Sequence, residues 1–415
     1  MAVEKSWSPR LRSVSVPFAT TLAVALAPIA LLAPRPAAAQ AVATWESGIA
    51  NIPAPMASGR TVRQFARIAV GGTAIRLRFS NETGTRPLAL GDVHVALPGP
   101  APGSVDPSTD HLALFGGGRT TVVAPGGAVV SDEVPMPVQP LTRLAVSAFF
   151  SSASPVQVGH LIASETNYLA PGPQADQAVM PEAVPTSSGF YLSGISAEVD
   201  NLPGGAVACL GDSLTDGLDS SQNAERRWPD RLSERLLAAT RGRVGAIDAG
   251  ISGNGMLQIA PLGTGGPNAP ARLPRDVLGR PGVHWLIVYE GINDIIYPPD
   301  AGDTAAELIA AYGQVIARAH EAGVRVFGAT LTPFAGAGPD FYSPAREALR
   351  QRVNAWIRTS GAFDAVFDFD AVVRTPTAVP QVRAAYDGGD HLHLNDAGYA
   401  ALADSIPLGA FLRGN

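Results

Sequence analysis

The chain has 415 residues, of which 30 are lysine or arginine and 36 are aspartate or glutamate, so its formal net charge at pH 7 is −6. An acidic chain is a poor candidate for binding nucleic acid or an anionic membrane surface, and we expect neither partner. Its only lysine, Lys5, lies in a segment that we expect to be removed. Its loss excludes Schiff-base chemistry, a P-loop lysine and a Ser–Lys dyad.

Residues 1–39 have the pattern of a bacterial secretory signal. Three basic residues precede a largely apolar stretch, residues 14–33, and a triplet of small residues ending at Ala39 follows it. A positive segment, an apolar segment and a small-residue cleavage site in this order are typical of such signals. We therefore expect cleavage near Ala39, a secreted or periplasmic protein, and no stable membrane insertion after cleavage. The alternative is a retained membrane anchor.

From Gln40 to about Asn201 the sequence is typical of β-strands. Short runs rich in β-branched, leucine and aromatic residues alternate with Gly- and Pro-containing turn signals, the runs being 61–68, 74–79, 93–97, 120–123, 144–150 and 191–199. Short strands between regular turns predict a β-rich N-terminal domain, sandwich-like or jelly-roll-like, over residues 40–201. Two roles stay open for it: shaping one wall of a cleft, or recognising glycan.

Residues 202–415 form the second predicted domain, which begins at a Pro- and Gly-containing hinge and in which strands and helices alternate. The predicted strands are 206–210, 244–249, 283–289, 324–331 and 365–369, and the predicted helices are 228–240, 304–322, 343–359 and 396–405. This alternation predicts an α/β fold with helices on both faces of a parallel sheet. In such sheets the functional site lies beyond the carboxyl ends of the strands.

The chain has one cysteine, Cys209, within the first predicted strand of the second domain. A single thiol cannot form an internal disulfide. Its apolar surroundings predict a buried structural role rather than a nucleophilic one.

Three side chains of the second domain have the order and chemistry of a hydrolytic triad. Ser213 follows strand 206–210, and Asp390 and His393 lie three residues apart far downstream. A serine hydroxyl needs an adjacent base to be a good nucleophile at neutral pH. We predict that His393 takes the proton of Ser213 and gives it to the leaving alcohol, while Asp390 orients the imidazole. The chain lacks Gly-x-Ser-x-Gly, so the α/β-hydrolase elbow is not expected.

Four short blocks of this domain together resemble the SGNH (GDSL) hydrolase family. They are, in chain order, residues 211–214 (GDSL), 250–254 (GISGN), 291–294 (GIND) and 390–393 (DHLH). The resemblance implies a three-layer SGNH-hydrolase fold. It also implies an oxyanion hole made by the backbone N–H of Ser213, the backbone N–H of Gly253 and the side-chain amide of Asn293. Donors fixed in this way meet the negative charge of a tetrahedral intermediate, and glycine lets a backbone N–H approach it closely.

Further segments are similar to the branch of this family that includes xylan-associated acetylesterase and arylesterase-like acylhydrolases. The similar segments are 272–278, 290–294, 329–334 and 343–344, together with the strand-rich stretch 61–97. Leu394 departs from the branch, in which proline usually follows the histidine. This departure puts in doubt how firmly the turn holds Asp390 and His393.

The remaining polar residues in these blocks have different predicted roles. Asp212 is expected to bond local backbone rather than to act in catalysis. Glu290 and Asp294 are expected to frame the site. His391 lies beside His393, but no further ligands have suitable spacing, so we expect no metal and no cofactor.

The sequence therefore predicts a secreted serine esterase or acylhydrolase that works through an acyl-Ser213 intermediate. We expect short acyl groups on carbohydrate or small alcohols as substrates, because the sequence contains no long amphipathic lid. A lipase or lysophospholipase acting on longer acyl chains is the nearest alternative, and it is favoured if residues 256–281 form an apolar flap. A carbohydrate-binding protein with a decayed catalytic half also stays open, as does an acyltransferase that uses the same site.

Overall fold

The computed structural model describes residues 1–2, 40–53, 57–153, 157–199, 204–258, 266–298 and 303–412. Nearly all of the predicted signal and most of the predicted hinge lie outside the described residues. The described residues from Gln40 onward belong to one compact unit. Within the described residues, no helix has the length and apolar character needed to span a membrane.

The N-terminal part, up to Val199, consists mostly of antiparallel strands. Its described strands are β1 (Gln40–Glu46), β2 (Ala50–Ile52), β3 (Arg60–Arg67), β4 (Ala74–Ser80), β5 (Leu88–Ala96), β6 (His111–Ala113), β7 (Thr120–Val123), β8 (Ala128–Val130), β9 (Arg143–Ser152), β10 (Gln157–His160), β11 (Asn167–Pro171), β12 (Val184–Thr186), β13 (Gly189–Phe190) and β14 (Leu192–Val199). A single 3₁₀ turn, Pro107–Thr109, lies between β5 and β6 in this part of the described chain.

These strands form three sheets. Their orders are β1-β14-β4-β8, β13-β10-β2 and β12-β11-β3-β9-β5-β6, with β7 also paired to β5. One hydrophobic core contains residues of all three, such as Leu77 of β4, Val158 of β10 and Val146 of β9. The β-rich N-terminal part is thus a set of antiparallel sheets around a shared core, because alternate residues of each strand point to the same side.

Two strands of this part differ from the sequence prediction at single residues with positive φ. Strand β5 begins five residues before the predicted run because a register shift at Asp92, where φ is 31°, lets the strand continue through a Gly-Asp pair that resembles a turn. The last predicted run loses its first residue, Tyr191, where φ is 56°; this residue separates β14 from β13 before it, and the two strands pair in different sheets.

The C-terminal part alternates strands with helices. Its strands are β15 (Gly205–Gly211), β16 (Val244–Gly250), β17 (Val283–Tyr289), β18 (Arg325–Ala329) and β19 (Ala365–Phe367), and its described helices are α1 (Ser213–Asp216), α2 (Trp228–Thr240), α3 (Ala269–Leu273), α4 (Ile292–Ile296), α5 (Thr304–Glu321), α6 (Pro344–Thr359), α7 (Phe369–Val373), α8 (Asp396–Ser405) and α9 (Gly409–Leu412). A π-helical turn, Pro274–Leu278, follows α3 directly.

The five strands of this part form a parallel sheet in the order β16-β15-β17-β18-β19, which confirms the predicted parallel sheet. The chain therefore moves outward in one direction from β15 to β16 and in the other from β15 through β17. The end of β15 is level with the ends of both neighbours, because Gly211 pairs with Gly250 and with Tyr289. Ligands bind at such reversal points in open α/β sheets.

The longer helices form where the sequence predicts them. In α5 the buried side chains recur at helical spacing, and Leu308, Tyr312 and Val315 bury one face. Ser343 and Asn395 are the N-caps of α6 and α8, where their side chains accept the backbone N–H groups of Arg346 and Gly398. Helix α2 packs against α8, and α5 packs against α6 and α3, so each apolar face is covered.

Candidate active site

Ser213 lies two residues beyond β15 as the first residue of the short helix α1. The side chain of Asp212 accepts the backbone N–H of Leu214 at 3.0 Å and so caps this helix, which is the local structural role that the sequence predicts for it. A Cβ on Gly211 would collide with Thr215 and with the carbonyl group of Tyr289. The chain can therefore pass directly from strand to helix only with glycine at this position.

The structure brings the three predicted triad residues together. Ser213 Oγ lies 2.8 Å from His393 Nε2, and His393 Nδ1 lies 2.5 Å from Asp390 Oδ2. Because a carboxylate only accepts, Nδ1 carries the proton and Nε2 is left to accept the hydroxyl proton of Ser213. This is the tautomer that a general base requires.

The turn around Asp390 holds the carboxylate in place. Its Oδ1 accepts the backbone N–H groups of Leu392 and His393 at 2.9 and 2.8 Å, while Oδ2 faces the imidazole. Partial burial would raise the pKa of Asp390, but the hydrogen bond and charge of His393 outweigh it and hold the pKa well below its usual range. Leu394 is buried and pairs with Asp387 as an isolated β-bridge. The Asp390–His393 contact is thus formed with leucine at the position where proline is usual.

The three predicted oxyanion donors follow the ends of three adjacent strands: Ser213 after β15, Gly253 after β16 and Asn293 after β17. Gly253 has a φ of +78°, a conformation that glycine adopts without steric cost. Among the described residues, neither the N–H of Ser213 nor that of Gly253 donates to another group. The Asn293 amide donates to the carbonyl O of Asn254 at 2.8 Å and has a second N–H. Their roles in catalysis stay predictions.

Buried carboxyl groups lie behind the nucleophile. Burial and the charge of the neighbouring Asp212 raise the pKa of Glu290 well above its usual value. Burial also raises the pKa of Asp294 to about 6, although it accepts the N–H groups of Met256 and Leu257 at 2.7 and 3.0 Å. The sequence analysis expects Glu290 and Asp294 to frame the site. In the structure, Glu290 lies beside Asp212, and Asp294 holds the backbone at Met256 and Leu257.

Arg272 is a site residue whose function the sequence did not indicate. Its guanidinium is fully buried and donates to the carbonyl O of Gly211 at 2.8 Å, to the carbonyl O of Ala249 at 2.5 Å and to Asn254 Oδ1 at 2.8 Å. It therefore joins the ends of β15 and β16 to the loop that contains Gly253. Arg272 begins segment 272–278, whose similarity to the acetylesterase branch assigns it no role, so only its contacts indicate what it does.

Asp216, three residues after Ser213, is a second residue that the sequence did not indicate. Its Oδ2 accepts both the backbone N–H and the hydroxyl of Ser252, at 2.9 and 2.6 Å. Its Oδ1 lies 2.8 Å from Nε2 of His160, which belongs to β10 of the N-terminal part. A side chain next to the nucleophile is thus connected to both parts of the chain.

In the described part of the chain, one group of potential metal ligands was found: Asp219, Asp390 and His393, with one ligand atom from each lying within 4.8 Å of the others. Both ring nitrogens of His393 already have partners, Ser213 and Asp390. This group therefore coincides with the triad and gives no separate metal site. Cys209 is buried and free, as the sequence predicts.

A serine, histidine and aspartate in this contact, at the carboxyl edge of a parallel sheet, define a hydrolase of the serine type. Residues 209–401 match the GDSL-like Lipase/Acylhydrolase family. This part of the chain is a GDSL-like lipase/acylhydrolase domain, and the chain is a carboxylic-ester hydrolase of the SGNH/GDSL class. The family that the four sequence blocks predict is confirmed.

Solved structures similar to this chain include esterases. Est24, a carbohydrate acetylesterase from Sinorhizobium meliloti, is 19% identical over 49% of this chain and 96% of its own, with a TM-score of 0.39. The M. smegmatis aryl esterase is 17% identical over 48% of this chain and 95% of its own, with the same TM-score of 0.39. A comparison with curated proteins gives no match.

Proposed function

We propose that this protein is a secreted esterase that removes short acyl groups from carbohydrates or small alcohols, as in the acetylesterase and arylesterase-like branch of its family. The observation that carries the proposal is the 2.8 Å contact between Ser213 Oγ and His393 Nε2. The sequence of residues 1–39 supports export.

Each residue of the site would have one task in this reaction. Ser213 Oγ attacks the ester carbonyl carbon while its proton passes to His393 Nε2, and Asp390 stabilises the resulting imidazolium. The carbonyl oxygen gains negative charge and is met by the N–H groups of Ser213, Gly253 and Asn293. The C–O bond to the alcohol then breaks, and the alcohol leaves with the proton from His393. Water then attacks the acyl carbon while its proton passes to His393 Nε2. The bond between the acyl carbon and Ser213 Oγ breaks, Oγ regains a proton from His393, and the carboxylic acid leaves.

The described residues of segment 256–281, which a lipase would use as a flap, favour a short acyl group instead. Residues 259–265 of this segment lie outside the described residues. Met256, Leu273 and Val277 are buried in the core of the C-terminal part. The side chain of Asn268 caps α3 and also donates to the carbonyl O of Leu257 at 2.9 Å. Apolar side chains that are buried in a core are unavailable to bind a long acyl chain.

The proposal is tested with purified full-length protein and its Ser213→Ala variant. A fluorophosphonate probe should label the wild type once, at Ser213, and should not label the variant. The wild type should hydrolyse p-nitrophenyl acetate, with a kcat/KM that falls as the acyl chain is lengthened from C4 to C12. Higher kcat/KM for C12 would favour a lipase. An unlabelled serine in folded wild-type protein that binds polysaccharide would favour a decayed binding protein.

An acyltransferase would use the same acyl-enzyme. It is tested by adding a sugar alcohol to the p-nitrophenyl acetate reaction and measuring the acetylated sugar by mass spectrometry. We expect free acetate as the main product, because the proposal assigns water as the acceptor.

A further inference from the structure

His160 is a buried histidine of the β-rich part that lies in contact with the active-site helix. Its ring is enclosed, with 7% of the residue exposed. Nε2 lies 2.8 Å from Asp216 Oδ1 and 3.0 Å from the carbonyl O of Ile162, and Nδ1 lies 2.6 Å from the carbonyl O of Gly48. His160 is 56 residues from Asp216 in the sequence and belongs to no motif.

The partners of His160 determine its protonation. Carbonyl oxygens and a carboxylate only accept hydrogen bonds, and both ring nitrogens face such groups. Both nitrogens must therefore donate, which only the imidazolium can do. Burial alone would lower the pKa of His160, but the charge and hydrogen bond of Asp216 outweigh it and raise the pKa to about 9. His160 and Asp216 are thus an ion pair inside the protein at neutral pH.

Asp216 transmits this contact to the loop that contains Gly253. One oxygen of Asp216 faces His160, and the other accepts the backbone N–H and the hydroxyl of Ser252, the residue directly before Gly253. The carboxylate is thus fixed from both sides. Because a peptide plane connects Ser252 to Gly253, a shift of Ser252 would move the N–H of Gly253.

The residue on the other side of Ser252 is also held by the β-rich part. The side chain of Ile251 is buried in the hydrophobic core of the N-terminal part rather than in that of the C-terminal part. A Cβ on Gly48 would lie 2.7 Å from the carbonyl O of Gly250, so the backbone of the β-rich part approaches this loop closely. The β-rich part therefore contacts the loop at two consecutive residues, Ile251 directly and Ser252 through Asp216.

We propose that His160 is a positioning residue for ester hydrolysis: through Asp216 and Ser252 it fixes the N–H of Gly253 where the oxyanion forms. This inference rests on the proposed function and on Gly253 as an oxyanion donor. It gives the β-rich part a defined task, since that part completes the active site by holding one of its donors. The other charged groups that line the cavity around His160 are Glu46, Arg67, Glu165, Glu225, Arg227 and Asp248.

The test is a double-mutant cycle with His160→Gln and Asp216→Asn in the full-length protein. Each variant removes one charge of the pair and keeps a side chain of similar size. We measure kcat and KM for p-nitrophenyl acetate and divide the rate by the number of serines that a fluorophosphonate probe labels at completion. Unfolded molecules are thereby left out of kcat, so a purely structural defect would leave kcat unchanged.

We expect His160→Gln to lower kcat by roughly 10- to 100-fold, because a donor moved by a fraction of an ångström stabilises the oxyanion poorly. KM should stay within about threefold, since an interaction made only in the transition state is lost. The double variant should lose no more than the worse single variant, because the two residues act through one contact. His94→Gln is the matched control: His94 pairs with Asp110 at 2.7 Å inside the β-rich part, and kcat should be unchanged.

Equal kcat for His160→Gln and the wild type would overturn the inference, and so would losses that multiply in the double variant. If His160→Gln does not fold, Ser252→Ala tests the same connection. It removes the hydroxyl hydrogen bond from Ser252 to Asp216, keeps the backbone one, and leaves the buried His160 ring in place. It should lower kcat by about tenfold, and an unchanged kcat would overturn the inference. A wild type that hydrolyses no ester would instead contradict the proposed function.

Discussion

Asp390 orients His393 from a half-exposed position, with 47% of its side chain accessible to solvent. In Asp390→Asn, the amide oxygen can still accept the N–H groups of Leu392 and His393, so the turn should keep its shape. The amide nitrogen would then face His393 Nδ1 and donate to it, which moves the imidazole proton to Nε2. Since Nε2–H cannot accept from Ser213, we expect kcat to fall by roughly 100- to 10,000-fold with little change in KM.

Asp219→Asn is the control for this prediction. Asp219 lies close to Asp390 and His393 but has no hydrogen bond to the imidazole among the described contacts. Its removal should change kcat by less than about tenfold, because a neighbouring charge without a direct bond is partly screened by solvent. Both variants are measured with p-nitrophenyl acetate at pH 8. A loss in Asp219→Asn as large as that in Asp390→Asn would argue that Asp219 orients His393.

The residues of the triad could be predicted from the sequence, whereas those that support it could not. Ser213 closely follows an apolar strand, and Asp390 and His393 lie three residues apart. Spacing over a few residues is therefore enough to identify them as candidates. Arg272 and His160 act through contacts with backbone carbonyl groups and with Asp216, which depend on how distant segments pack. Any arginine or histidine could make such contacts, so the residue type alone contains no signal.

The turn after β16 is the element that places an oxyanion donor, and it depends on one glycine. Gly253 has a φ of +78°, where a residue with a Cβ is strained by about 1–2 kcal/mol. In Gly253→Ala we expect the turn to relax toward negative φ and to carry the N–H away from Ser213. The expected result is a fall in kcat of roughly 100-fold, the usual cost of losing one such donor, with KM nearly unchanged.

Gly126→Ala separates backbone strain from loss of the donor. Gly126 has a φ of +76° and lies in the turn between β7 and β8, where an added Cβ would contact nothing within 4 Å. Both variants should lower the free energy of unfolding by about 1–2 kcal/mol, because the strain is the same. Only Gly253→Ala should lower kcat per labelled serine. A lower free energy of unfolding in Gly253→Ala with an unchanged kcat per labelled serine would show that Gly253 acts through stability alone.

The long helices can be predicted from the sequence, whereas the short ones cannot. Helices α2, α5, α6 and α8 are predictable because an apolar stripe or a capping residue marks each of them. Helices α1 and α4 have only 4 and 5 residues, which is too short for periodicity to appear. Helices α1 and α4 contain Ser213 and Asn293. The helices at the active site are therefore the ones that hydrophobic periodicity predicts least well, and only the four family-like sequence blocks locate them.

The molecule as a whole buries many acidic groups whose pKa is raised. Burial is the largest cause in each case, and it raises the pKa of Glu46 and Glu225 to about 8, of Asp248 to about 7, and of Asp212 and Asp294 to about 6. Some of these residues connect the two parts of the chain: Glu46 of β1 pairs with Arg280, which lies before β17. The same packing that joins the parts therefore places carboxyl groups in surroundings where the neutral form is favoured.

Because the pKa values of these buried carboxyl groups are raised, we expect the protein to be less stable in alkaline than in mildly acidic solution. Between pH 5 and 8 the unfolded chain has lost the protons of these carboxyl groups, whereas the folded protein still holds part of them. Stability falls with rising pH wherever the folded state binds more protons, by about 1.4 kcal/mol per pH unit for each extra proton. His160 adds to the same trend from about pH 6.5 to its folded pKa of about 9, because the folded protein holds its proton longer.

Urea denaturation of the full-length protein at pH 5, 6, 7 and 8 measures this dependence. The free energy of unfolding should be highest near pH 5 and should decline steadily toward pH 8. Asp248→Asn removes one of the titrating groups, so its decline should be shallower than that of the wild type between pH 5 and its folded pKa of about 7. A free energy of unfolding that rises with pH, or an identical slope in Asp248→Asn, would mean that these carboxyl groups are ionised in the folded protein and that their buried partners neutralise them.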